Sequence, residues 1–68
     1  MSANLVTIEG LGYGVGKTKW YWLGAVSMDS DFAEIARKEF EIDKRIMCVK
    51  FMFDGSMVGY FTRTELGL

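Results

Sequence analysis

A hairpin signature in the second half of the chain constrains the fold more than any other feature. Ile46 to Phe53 is a run rich in β-branched and aromatic residues, and Asp54-Gly55 follows it directly. An Asp-Gly pair between such runs is the strongest local signal for a two-residue turn joining antiparallel strands. We therefore predict a β-hairpin that continues from Ser56 to about Arg63.

The predicted turn also decides which residues of the hairpin share a face, because side chains alternate along a strand. Phe53 is expected opposite Ser56, and Phe51 opposite Val58. One face is then nearly all apolar and is expected to receive a helix: Met47, Val49, Phe51, Phe53, Val58 and Tyr60. The second face is also largely apolar but includes two cations: Ile46, Cys48, Lys50, Met52, Met57, Gly59, Phe61 and Arg63.

A helix is predicted immediately before this hairpin. Asp31 followed by Glu34 fits a capping box, with Ser30 as the alternative N-cap. Apolar residues then recur at helical spacing: Phe32, Ile35, Ala36 and Phe40. We expect the helix to end near Glu41 or Ile42, before a charged turn.

The first half of the chain predicts two more strands, Leu5 to Ile8 and about Thr18 to Ser27. Glycine occupies every second position from Gly10 to Gly16 between them. We interpret residues 10–17 as a hairpin turn with its flanks, since glycine supplies positive φ angles. Alternatively, part of this segment is a strand whose bare glycine face allows close approach. The order is β-β-α-β-β, a single α+β domain over residues 1–68 with one helix on an antiparallel sheet.

The glycine-rich segment does not have the spacing of a phosphate-binding loop. That loop needs a glycine, four residues and then Gly-Lys-Ser/Thr. Counting back from Gly16-Lys17-Thr18, the required glycine falls on Leu11. A helix should also follow, whereas the next residues have strand character. A nucleotide-binding enzyme is therefore not indicated.

The composition indicates more apolar surface than so short a chain can bury. The chain has 68 residues, of which 50% are hydrophobic, including five Phe, three Tyr, two Trp and five Met. A domain of this size buries only about 60% of the surface of its unfolded chain. One helix covers one side of a sheet, so we expect the other side to be covered by a curled N-terminal hairpin, a target or a second subunit. A homodimer or a partner-binding face is the economical explanation.

Neither catalysis nor binding of a metal or cofactor is expected. The chain has no His and a single cysteine, Cys48, so it lacks a general base for neutral pH and the ligands of a zinc site. We interpret Cys48 as a buried structural thiol. Asp29, Asp31 and Asp43 do not have the spacing of a calcium loop. With no signal-peptide pattern and no apolar run long enough for a membrane span, we expect a cytoplasmic protein.

These observations predict a small non-enzymatic module that binds and modulates a macromolecular partner. We expect inhibition, as in accessory factors of phages and mobile elements. Tyrosine on a glycine loop and methionine on an open face suit such a role, because tyrosine gives a large contact area at low entropic cost and methionine adapts its shape. The candidate partner-binding residues are Tyr13, Lys17, Lys50, Met52, Met57, Phe61 and Arg63.

The alternative is a module that binds nucleic acid. Residues 17–22 interleave bases and aromatics, and in a strand Trp20 and Trp22 point away from the lysines. We expect the two tryptophans to lie in the core of a central strand. The lysine-bearing face could contact phosphates and stack a base, but the net charge of −1 weighs against it. Its candidate residues are Lys17, Lys19, Tyr21, Lys50 and Arg63.

Overall fold

The computed structural model describes residues 4–12 and 19–68, and its elements follow the predicted β-β-α-β-β order. They are β1 (Leu5–Gly12), β2 (Trp20–Ser27), α1 (Phe32–Ile42), β3 (Ile46–Phe53) and β4 (Ser56–Thr62). The strands form one antiparallel sheet in the order β2-β1-β3-β4. The α+β prediction is confirmed, with β1 and β3 at the centre and β2 and β4 at the edges.

Helix α1 begins and ends where the sequence predicts. Asp31 is the N-cap, and its Oδ1 accepts a hydrogen bond of 3.2 Å from the Glu34 N–H. On the apolar stripe, Ala36 and Phe40 are buried, while Phe32 and Ile35 pack beside them. The helix contacts β3 and β4, so its apolar stripe lies against one side of the sheet.

The turn of the β3–β4 hairpin is also confirmed. Asp54 has φ 50° and Gly55 has φ 80°, as a type I′ turn requires at both central positions. Phe53 pairs with Ser56 and Met52 with Met57, as predicted.

The predicted pairing beyond Met57 is wrong, because β4 contains a bulge. Phe51 pairs with Gly59 and not with Val58, which is left as an extra residue. An extra residue reverses the alternation of side chains in the rest of the strand. Tyr60 therefore lies on the side away from α1, and Phe61 lies on the helix side.

Two further bulges change the alternation in β2 and β3. Ile8 pairs with Gly24 but Glu9 pairs with Trp22, so Leu23 is the extra residue of β2. In β3 the register against β1 shifts between Cys48 and Ile46. Ile46 is buried in the same cluster as the helix-side core, so its predicted place on the second face is wrong.

Strand β1 extends beyond the predicted Ile8 and includes part of the glycine-rich segment. Gly10 and Gly12 are buried residues of this strand. A Cβ on Gly12 would collide with the carbonyl oxygen of Arg45, and one on Gly10 would lie 2.8 Å from Leu23 Cδ1. The glycine-faced strand is thus confirmed as far as Gly12, while Gly14 and Gly16 lie outside the described residues.

The core lies between α1 and one side of the sheet. Its buried residues are Val6, Ile8, Ala36, Phe40, Ile46, Val49 and Phe51. Phe51 stacks on Phe32 with ring centroids 4.6 Å apart and meets Phe61 edge-on at 5.9 Å. In the described part of the chain, no helix has the length and apolar character needed to cross a membrane.

Candidate functional site

The candidate site is the side of the sheet opposite α1, which we call the open face. Cross-strand pairing places its side chains in rows that run across β2, β1, β3 and β4. The rows are Trp20, Leu11, Cys48 and Thr62; Trp22, Glu9, Lys50 and Tyr60; and Ala25, Thr7, Met52 and Met57. Within the described residues, 4–12 and 19–68, no helix packs on this side of the sheet.

The centre of the open face holds a self-neutralised ion pair among aromatic rings. Lys50 Nζ lies 3.6 Å from Glu9 Oε1 and 4.3 Å from the centroid of the Trp20 ring. The Trp20 ring meets Tyr60 edge-on, with centroids 6.5 Å apart. The ammonium of Lys50 is thus stabilised by a carboxylate and by the face of an aromatic ring. Because Lys50 and Glu9 carry opposite charges, the rows have no net charge.

Large apolar side chains around this centre are exposed. Trp22 is 68% exposed, Met57 58%, Leu5 56% and Tyr60 44%. Several large apolar side chains exposed on one sheet face are typical of an interaction site. Tryptophan, tyrosine and methionine are also the residue types enriched where proteins bind each other.

Tyr60 adds no charge to the open face. The neighbouring Cys48 side chain raises the pKa of the Tyr60 phenol. The phenol therefore remains protonated at neutral pH. Cys48 is a free, buried cysteine, as predicted.

The predicted partner-binding residues of the β3–β4 hairpin are divided between the two sides of the sheet. Lys50, Met52 and Met57 lie together on the open face, as predicted. Phe61 and Arg63 do not, because the bulge at Val58 moves them to the helix side. Phe61 packs against the core, and Arg63 donates hydrogen bonds to backbone carbonyls there.

The candidate nucleic-acid residues that the structure describes do not converge on one surface. Lys19 is exposed just before β2, and Tyr21 pairs with Gly10, so its ring lies on the helix side. Lys50 lies on the opposite side. Lys17 of this set and Tyr13 of the partner-binding set lie outside the described residues.

The aromatic residues of the site are not among the residues that the sequence predicts for it. The sequence predicts Trp20 and Trp22 in the core of a central strand, but β2 is an edge strand and both lie on the open face. The alternation in β1 gave a usable signal, since Glu9 is polar between buried positions and its cross-strand partner must share its side. Gly24 and Gly59 gave another, because glycine inside a strand often marks a bulge.

Comparisons with protein-family models, with curated proteins and with solved structures find no match for this chain. Among the residues that the structure describes, no cluster of His, Cys, Asp or Glu side chains could hold a metal ion.

Proposed function

We propose that this chain is a non-enzymatic protein-binding module that docks on its partner through the open face and modulates the partner by covering it. The observation that supports this proposal is the exposure of Trp22, Met57 and Tyr60 on a sheet face that α1 does not cover. Burying such side chains at the centre of an interface supplies most of the binding energy in typical complexes.

The chemistry of the open face favours a protein surface without net charge as the partner. Phosphate contacts by lysine and arginine dominate the affinity of proteins for nucleic acids. The one cation in the rows of the open face, Lys50, is already held by Glu9 and the Trp20 ring. A phosphate would have to compete with both, whereas an apolar surface leaves this arrangement intact.

Single-stranded nucleic acid is the second candidate ligand. Trp20, Trp22 and Tyr60 lie on one face of a four-stranded sheet, and aromatic rings on such a face can stack unpaired bases. The ion pair at the centre of the face argues against this ligand. A crosslinked adduct that nuclease removes would indicate it instead of a protein partner.

Site-specific photo-crosslinking in the source cell tests the proposal. A photo-reactive benzoyl-phenylalanine replaces Trp22 on the open face, and in a matched control it replaces Lys38, which is exposed on α1. We expect a nuclease-resistant protein adduct from position 22, no such adduct from position 38, and loss of the adduct when Met57→Lys is added. An adduct that nuclease removes, or equal adducts from both positions, would overturn the proposal, as would no adduct from position 22.

A further inference from the structure

We propose that a second copy of this chain covers the open face when no target is bound, in a two-fold symmetric, face-to-face dimer. This inference rests on the proposed function, since it takes the open face as a protein-docking surface. The second copy occupies this surface before a target binds. The edges of the sheet, the chemistry of its rows and its area each support it.

The edges of the sheet disfavour association through edge strands. β2 contains the extra residue Leu23, and β4 contains the extra residue Val58. A bulge interrupts the ladder of backbone groups and twists the edge, which hinders the addition of another strand. Self-association of this chain is therefore directed to the open face.

The middle row of the open face is self-complementary. It reads Trp22, Glu9, Lys50 and Tyr60 across the sheet, that is, aromatic, acidic, basic and aromatic. A two-fold axis that runs parallel to the strands, between the stacked sheets and midway between β1 and β3, places β1 of one copy over β3 of the other.

That axis brings opposite charges and aromatic rings together. Glu9 of each copy then faces Lys50 of the other, and Trp22 of each copy faces Tyr60 of the other. A two-fold axis makes every contact occur twice, as isologous interfaces require. The intramolecular pair becomes part of a network of four charges, each opposite its complement.

The area of the open face suits a weak, reversible dimer. Strands of this length, at about 3.3 Å per residue and about 4.8 Å between strands, give a flat area of roughly 500 Å². Two such faces would bury roughly 1,000 Å² in total, which is the size of a weak, reversible interface. A target that docks on the same residues must displace the second copy, so self-association regulates target binding.

Sedimentation equilibrium of the purified chain over a range of concentrations tests the dimer. We expect the wild type to shift from monomer to dimer as its concentration rises. Lys50→Glu or Glu9→Lys alone places like charges across the interface and should weaken the dimer by about tenfold or more. An equimolar mixture of these two variants should form a heterodimer, because each then supplies the charge that the other needs.

Two controls separate the interface from folding. The double variant Glu9→Lys/Lys50→Glu keeps both the intramolecular pair and the self-complementary row, so it should dimerise like the wild type. Lys38→Glu on the exposed side of α1 should leave the dimer unchanged. If a single reversal fails to fold by circular dichroism, Met57→Lys replaces it, since Met57 is 58% exposed and lies outside the core. We expect Met57→Lys to be a folded monomer.

A wild type that is monomeric at every concentration overturns the inference. So does a Lys50→Glu or Met57→Lys variant that dimerises like the wild type, or a mixture of the two reversals that stays monomeric. The proposed function fails separately. A monomeric wild type that still gives a nuclease-resistant adduct with another protein from position 22 removes the dimer and leaves the docking surface in place.

Discussion

At the scale of single residues, Arg63 joins the end of α1 to the start of β3. Its Nη2 donates to the carbonyl oxygens of Phe40 and Asp43, each at 3.0 Å, and its Nε donates to that of Ile46 at 2.7 Å. The guanidinium also lies 4.8 Å from the centroid of the Phe40 ring. The last carbonyls of a helix have no partner within the helix, and Arg63 supplies donors for them. Arg63 therefore stabilises the fold, whereas the sequence pattern predicts it as a binding residue.

Arg63→Lys should therefore destabilise the fold although it keeps the charge. A lysine ammonium cannot reproduce the planar set of donors that reaches several carbonyls, and the carbonyls left without donors should cost about 3 kcal/mol. Urea unfolding measures this loss. Arg37→Lys is the matched control, because Arg37 is exposed and donates to Leu66 O alone among the described contacts. Equal midpoints for the two variants would contradict the role of Arg63.

Asp43 should make stability depend on acid pH. Hydrogen bonds from the Arg45 side chain and from its backbone N–H lower the pKa of Asp43 from 3.8 to about 2. A pKa lowered by folding gives stability that is present above pH 3.8 and is lost as the pH falls toward about 2. We expect Asp43→Asn to lose less stability than the wild type across this interval in urea unfolding at successive pH values. Parallel pH profiles for the two proteins would contradict this.

At the scale of elements, the sequence predicts those helices, strands and turns that are specified by neighbouring residues. The Asp31 cap, the apolar stripe and the Asp54-Gly55 turn follow from neighbouring residues, and α1, β3 and the turn lie where they predict. The bulges are only partly indicated by local signals. Gly24 and Gly59 mark strand positions where a bulge is common, but the residue left unpaired is set by what the whole strand must bury. At Val58 the extra residue turns Phe61 toward the core and Arg63 toward the end of α1.

Deleting Val58 should be tolerated, because the deletion removes the bulge without changing the register. Gly59 then follows Met57 directly and still pairs with Phe51, so Tyr60 and Phe61 keep their sides of the sheet. We expect the deletion variant to retain cooperative thermal unfolding. Val58→Thr keeps the bulge and should change the free energy of unfolding by about 0.5 kcal/mol or less, because Val58 is 39% exposed. A deletion variant that loses cooperative unfolding would contradict the role of Val58 as the extra residue.

At the scale of the whole molecule, the described residues cover one face of the sheet with a helix and place no helix on the other. A short chain rich in apolar residues predicts surplus surface, but not which side carries it. The alternation of side chains along β3, together with the predicted turn, is enough to place Lys50, Met52 and Met57 on the open face. Trp20, Trp22 and Tyr60 could not, because their side depends on strand order and on bulges that form only when the core closes.

Quenching of tryptophan fluorescence by acrylamide tests the central claim most directly, since both tryptophans of the chain lie on the open face. We expect strong quenching in dilute solution, where Trp22 is exposed, and weaker quenching as concentration rises and a second copy covers the face. The folded Lys50→Glu variant should remain strongly quenched throughout. Weak quenching at every concentration would place the tryptophans inside the monomer, and strong quenching of the wild type at every concentration would show that no second copy covers the open face.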